Sequence, residues 1–319
     1  MSGFTTDTID HVYRANLWTS QLKQRFDDIL AGWRYVSMLS DFPDGDTWNQ
    51  PSLGQAVVSD YVENSAVRYN AMDTGNFTFS ITEYKQSGTY VSNKFKQDSY
   101  YISQIMAAIP REIEYALMAS VEAKLLADGP NGQTASDLNV INDARHRWVA
   151  SGPNDTIALE DFAFAQYALQ KANMPQSNLV ALVDPSVAMT INRLTNIVNV
   201  SNNPSWEGII NTGMNPTGLR FVKNVYGFDV YTSNFLKSGM SETIDGNAVT
   251  NGVANLFFSA APGPSMPLIG AIRQPLKIES KYNMDLQREE FVTTLRYGSK
   301  LYRPENMVVV LSDKTQVYA

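Results

Sequence analysis

The chain predicts an α+β fold, and three observations carry that prediction. One stretch, Asp98 to Ala127, keeps helical periodicity far beyond the usual length of about a dozen residues. Period-two runs lie on both sides of it, as strands require. From Thr156 onward, short apolar runs alternate with helical patterns, as in an α/β layer.

In order, the chain opens with a polar start. Leu22, Phe26, Ile29, Leu30, Trp33 and Val36 then repeat at helical spacing and predict an amphipathic helix over residues 20–39, ended by Pro43 and Gly45. Phe77, Phe79 and Ile81 alternate with Thr78, Ser80 and Thr82, and a Gln86-Ser87-Gly88 turn leads into a second extended run, Thr89 to Phe95. This predicts a hairpin, preceded by a strand at Gln55 to Val62. An isolated hairpin is barely stable in water, so a larger sheet or another chain must support it.

The long helix carries Ile102, Ile105, Met106, Ile109, Ile113, Leu117, Val121 and Leu125 on one face. Asp98 and Ser99 are suitable N-caps, Asp128-Gly129-Pro130 supplies a stop, and Pro110 predicts a bend or two pieces meeting near Ala108. At 1.5 Å per residue the helix would be a spine roughly 45 Å long. A polar stretch, Asp128 to Asp155, reads as loops. Leu159 to Ala172 is a helix with Phe162, Ala165 and Leu169 inward, Leu179 to Val183 a buried strand, and Asp184-Pro185 an N-cap launching a helix with Val187, Ile191 and Leu194. Asn199 to Pro216 has loop composition, followed by strands at Phe228 to Tyr231 and Ala254 to Ser259 around a polar tip from Lys237 to Gly252. Extended runs at Leu276 to Tyr282, Glu290 to Tyr302 and Met307 to Leu311 close the chain.

Composition narrows the function classes. The 319 residues are 44% hydrophobic and 11% aromatic but only 18% charged, so the core is ample and some surface asks for cover other than water. The formal charge is -7, and residues 1–44 hold four basic against six acidic residues, a net of -2, which excludes a basic phosphate-gripping arm. With no cysteine there is no disulfide framework, thiolate metal site or cysteine nucleophile. The N-terminus lacks the order of a signal peptide, and the longest uncharged run, Gly246 to Ile272, is broken by Pro262, Pro264 and Pro267, so a soluble chain that stays where it is made is expected.

No catalytic, cofactor or metal constellation emerges. His11 and His146 lack visible partners, and a solvated or packing role is expected for both. Asp41, Asp44 and Asp46 crowd around Gly45, but their spacing is not that of an EF-hand loop and a helix-ending turn is the better reading. Gly298-Ser299-Lys300 lacks the upstream glycine of a P-loop. Arg111, Glu112, Glu114, Glu122 and Lys124 place charge on the spine, either as a solvated face or as rim contacts between subunits.

The order of parts resembles the tailed-bacteriophage major capsid protein of the Hong Kong ninety-seven type. The passages that carry the resemblance are Lys96-Gln97-Asp98-Ser99 entering the spine, Leu182-Val183-Asp184-Pro185-Ser186 at a strand-to-helix turn, and Val225 to Tyr231 followed by Ser233-Asn234. Tyr297-Gly298 and Arg303-Pro304-Glu305 through Val310 match the family's returning chain. The resemblance implies an N-terminal arm (1–44), an extended loop (45–97), a peripheral domain (98–155 and 273–302) and an axial domain (156–272 and 303–319).

It further implies a shell protein assembling with itself as hexamers and pentamers around double-stranded DNA, in the virion, after assembly in the host bacterial cytoplasm. A separate scaffolding protein is expected because the chain opens directly with the arm, unless an extension was removed before this numbering, and portal and decoration proteins are further implied partners; no membrane is. In this reading Leu22, Phe26, Ile29 and Trp33 of the arm and Phe77, Phe79 and Ile81 of the hairpin are the expected inter-subunit contacts. The founding relative crosslinks a loop lysine to a neighbour's asparagine; Lys85, Lys94 and Lys96 lie in or beside the hairpin, with surface solubility their favoured role. Expansion of a precursor shell is implied too, with Pro110 and Pro43-Asp44-Gly45 as joints. The alternatives are an encapsulin-like nanocompartment of the same fold, and a monomeric hydrolase relying on His146.

Overall fold

The computed structural model describes residues 32–39, 47–54, 56, 58–66, 69, 72, 74–98, 102–193, 220–262 and 265–314. Its longest element is helix α2, Ile102–Asn131. A shorter helix, α1 (Asn93–Asp98), comes before it, so Asp98 closes one helix instead of capping the next. Pro110 sits inside α2 without dividing it, so of the two alternatives the separate pieces are not found; the ring removes one amide donor and the helix runs on through it. The stop also comes later than predicted: Pro130 is helical, and Gly132 N–H donates to the Asp128 carbonyl at 3.0 Å. Ile113, Leu117, Val121 and Leu125, spaced by four, are all buried, as the periodicity requires.

That stripe packs on a four-stranded sheet in the order β1-β11-β12-β4, formed by Val36–Met38, Leu268–Asn283, Arg288–Leu301 and Glu83–Ser92. Strands β11 and β12 are a long antiparallel hairpin, and β4 adds to it from Tyr297↔Glu83 to Arg288↔Ser92. The Gln86-Ser87-Gly88 turn is therefore a misreading. These residues run straight through β4 opposite Thr294, Thr293 and Val292, because pairing with β12 outweighs local turn preference. Val91, Phe291 and Ile113 form one small core there, with Met106 and Ile109 against it.

The partner of the Phe77 strand is different as well. Strand β3 (Thr74–Ser80) pairs antiparallel with β2 (Thr47–Leu53) as a two-stranded ribbon. The described residues of 55–62 are not a strand. Of the predicted helix over 20–39, residues 20–31 lie outside the described residues; Gly32–Tyr35 is a 3-10 turn and Val36–Met38 pairs parallel with β11, so this part of the expectation is corrected.

The second body is a seven-stranded sheet. Its path is β5-β13-β10-β6-β8-β7, from Arg147–Val149, Val308–Asp313, Asn247–Ser259, Leu179–Val183, Phe228–Thr232 and Arg220–Val225, with β9 (Met240–Ile244) paired to β10. The Lys237 to Gly252 tip is thus mostly a hairpin, turned at Asp245-Gly246, both with positive φ as a primed turn demands. The stretch read as loops up to Asp155 contains β5, which pairs parallel with β13 and so belongs to this sheet.

Helices α3 (Leu159–Lys171) and α4 (Pro185–Arg193) cover one face of it. Asp161 accepts the Ala158 N–H at 2.9 Å and the Trp148 indole N–H at 3.0 Å, fixing the start of α3 against β5. Phe162, Ala165 and Leu169 point inward as predicted, and Phe162 meets Phe257 edge to face at 5.1 Å. Asp184 caps α4 by accepting Ser186 N–H at 3.0 Å. On the other face, Leu256, Phe258 and Val309 share one core with Leu125, Leu295 and Tyr297 of the spine and its sheet. His11, Asp41, Asp44, Asp46, Leu194 and the predicted loop 199–216 lie outside the described residues.

Candidate self-association surface

The ribbon β2–β3 is anchored at its base and open at its far end. At the base, Phe79 and Ile81 are 0% and 4% exposed, packed with Ile269 and Ala271. They reach this depth because Gly298 has no side chain: a Cβ there would lie 2.9 Å from the Ser80 carbonyl and 3.0 Å from Ile81 Cα. Phe77 meets Tyr302 edge to face at 5.0 Å, Lys300 donates to the Thr78 carbonyl at 2.8 Å, and the Tyr302 hydroxyl pairs with Gln50 at 3.0 Å. Phe79 and Ile81, expected as contacts with a neighbour, are buried within their own chain. Phe77 is half-buried in the same cluster. Trp33 is also covered mainly by its own chain, its ring 6.1 Å from that of Tyr297. Leu22, Phe26 and Ile29 lie outside the described residues.

The stretch joining β2 to β3 is the reverse. Val58, Tyr61, Val62 and Tyr69 are 93%, 85%, 62% and 93% exposed, and Met72 is exposed too. Single exposed apolar side chains are ordinary, but a run of large ones on an irregular stretch is a surface awaiting cover. A second exposed apolar group lies at the β11–β12 turn, where Met284 is 80% exposed beside Leu286 and Tyr282. Val58, Tyr61 and Val62 fall within the predicted strand 55–62 and are not among the expected contacts; their signal in the sequence is the apolar content of Ala56 to Val62 without a matching polar alternation.

Two of the lysines singled out in the sequence are paired with carboxylates. Lys85 bridges Glu83 at 3.1 Å, and Lys96 bridges Glu289. On the spine Arg111, Glu112 and Glu114 are exposed, whereas Glu122 is buried and accepts the Gly32 N–H at 2.7 and 2.8 Å, so the solvated-face reading fails for Glu122. His146 is fully buried, and burial first of all holds its pKa below the ordinary histidine value while its Nδ1 faces the Ala144 carbonyl at 3.0 Å. It packs, and it does not face solvent. Among the described residues no group of three His, Asp or Glu is placed to hold a metal ion, and no helix is long and apolar enough to cross a membrane. The exposed apolar run is the feature of this geometry that suits association.

Comparison with known proteins agrees. No curated protein sequence matches the chain. Solved structures do: one from Mycobacterium phage Che8 is 16% identical, with a TM-score of 0.69 over 94% of this chain and 97% of that one. The mature capsid of bacteriophage PhiM1 is 10% identical, with a TM-score of 0.69 over 98% and 99% of the two chains. The capsid of cyanophage Pam1 is also 10% identical, with a TM-score of 0.68 and the same coverage. At such identities the likeness establishes the fold. A family model described as phage capsid protein matches residues 76–310, well over half of the chain. With that match the assignment is made: the chain belongs to the phage capsid protein family.

Proposed function

We propose that copies of this chain build the icosahedral head of a tailed bacteriophage as hexamers and pentamers, with double-stranded DNA inside. The observation that carries the reading is the exposed run Val58, Tyr61, Val62 and Tyr69, which its own chain leaves uncovered. A neighbouring copy is the natural cover, since closed symmetry presents the same receiving surface to every copy. In this reading residues 1–44 are the arm, 45–97 the extended loop, 98–155 and 273–302 the peripheral domain, and the rest the axial domain, to whose sheet Arg147–Val149 lends an edge strand. Leu22, Phe26 and Ile29 are arm contacts. Scaffolding, portal and decoration proteins complete the assembly in the bacterial cytoplasm, and a chain of formal charge -7 meets packaged DNA through counterions, without gripping it.

The mechanism is association and not catalysis. Each interface is modest, and closure of the shell multiplies it. The test is electron microscopy of particles from wild type and from a triple variant Val58→Ser, Tyr61→Ser, Tyr69→Ser. Wild type forms closed shells, and the variant folds but stays unassembled. Normal shells from the triple variant would remove this run from the account.

A further inference from the structure

The short segment 32–39 touches both bodies of the fold at once. At its start the Gly32 N–H is held by both oxygens of Glu122 on the spine helix, at 2.7 and 2.8 Å. Trp33 then lies edge to face on Tyr297 of β12. Two residues on, Tyr35 crosses to the other body and meets Phe258 of β10 edge to face at 5.1 Å. Val36, Ser37 and Met38 add a parallel strand to Leu268, Ile269 and Gly270, and the Leu39 N–H closes the register on the Gly270 carbonyl at 2.9 Å. Tyr35 and Val36 are both buried in the core that the two sheets share.

We propose that residues 32–39 are a strap that sets the angle between the spine-bearing sheet and the seven-stranded sheet, with the Glu122–Gly32 contact as its clasp. A buried carboxyl group holding one backbone N–H with both oxygens is a directional fastening, because water is excluded and an unmet N–H there would be costly. A Cβ on residue 32 would stand 2.7 Å from Glu122 Oε2 and 3.0 Å from Cδ, so the carboxylate end must shift off the N–H to admit it. Release of the clasp frees Trp33 and Tyr35 from the seam, and the two bodies then sample more than one relative orientation. The strap acts within a single chain, so it stands independently of the shell reading.

The chain has no cysteine, which allows site-specific spin labels at Glu114→Cys on the exposed side of the spine and Gln170→Cys on α3. Labelled chain is diluted into excess unlabelled chain, so that pulsed electron paramagnetic resonance reads only intrachain distances. Wild type gives one narrow distance peak. Gly32→Ala loses it by collision with the carboxylate, and Glu122→Asp loses it by withdrawing the carboxylate about one carbon–carbon bond, roughly 1.5 Å. The double variant stays broad too, since the shorter acid admits the methyl but stands as far from the N–H as it does in Glu122→Asp alone. A narrow peak in either single variant overturns the proposal. Where Gly32→Ala yields no folded chain, Glu122→Asp alone decides: a broadened distribution is the supporting result and a narrow peak the overturning one.

Discussion

Substitution at the Arg147–Glu242 pair should separate buried fastenings from surface decoration. Arg147 donates from Nη2 to Glu242 Oε1 at 2.6 Å and from Nε to Oε2 at 3.1 Å, and its Nη1 reaches the Pro130 carbonyl at the end of α2 at 3.1 Å. The side chains are 1% and 9% exposed, so neither charge has water to fall back on. One guanidinium therefore joins the spine's last turn, β5 and β9. Glu242→Gln keeps the volume but strands a buried cation, which costs about 3–5 kcal/mol. With an unfolding entropy of about 2.1 cal/mol/K per residue, a chain this long melts about 4–7 °C lower for that loss. The paired change Arg147→Met, Glu242→Leu removes both charges and should cost less than either single change.

The assay is urea and thermal unfolding of the unassembled chain followed by circular dichroism. The pH dependence has a definite sign. Burial alone would raise the Glu242 pKa, but the Arg147 and Ser136 hydrogen bonds and the Arg147 and Lys237 charges outweigh it and leave it depressed. The pair therefore contributes stability fully above the ordinary carboxylate range and loses it as pH falls through the depressed folded value. Glu242→Gln should lack that acid-side loss. A cost below about 1 kcal/mol for the single change, or additive costs in the paired one, would refute a coupled buried bridge.

Two further outcomes are expected. Gly298→Ala should destabilise by about 1–3 kcal/mol in urea titrations, because the added Cβ meets the Ser80 carbonyl and Ile81 Cα at 2.9 and 3.0 Å; an unchanged midpoint would mean the ribbon base does not cross β12 there. Asp128, bonded to Lys124 and to Ser299, has its pKa raised by burial and by nearby Glu83 in spite of those two partners. Its folded value lies above the unfolded one, so the charged carboxylate costs stability at neutral pH and acidification relieves that cost. The stability difference between wild type and Asp128→Asn should thus shift in favour of wild type as pH falls from 7, and a difference that moves the other way rejects the assignment.

How much of this was legible depended on how local each cause is. Leu179 to Val183 announced itself as a buried strand because apolar residues without a break have nowhere else to go. Asp184-Pro185 marked the start of α4 because an N-cap and a first-turn proline act within one helical turn. Gln86-Ser87-Gly88 misled for the opposite reason: its local signal is a turn, and the β12 strand that straightens it lies some two hundred residues away. Arg147–Val149 hid in polar surroundings, since its burial comes from β13 and from Glu242. Glu122 looked like one more spine charge because its partner, the Gly32 amide, is 90 positions distant and carries no side chain to betray it.

For the contact surface, alternation in Phe77, Phe79 and Ile81 correctly signalled a strand with one apolar face, but alternation cannot say whose body that face meets. The close approach at Gly298 decided it in favour of the chain's own sheet. Val58, Tyr61, Val62 and Tyr69, which are exposed, lie in the preceding stretch, where neither period applies.

Among the described residues between β2 and β3, Val58, Tyr61, Val62 and Tyr69 stand bare in the single chain, and a sister copy should shelter them in the shell. Amide hydrogen exchange of residues 56–72 in unassembled chain and in purified closed particles reads that shelter. Fast exchange in the free chain with strong protection in the particle is expected. Equally fast exchange in both states would refute the shelter.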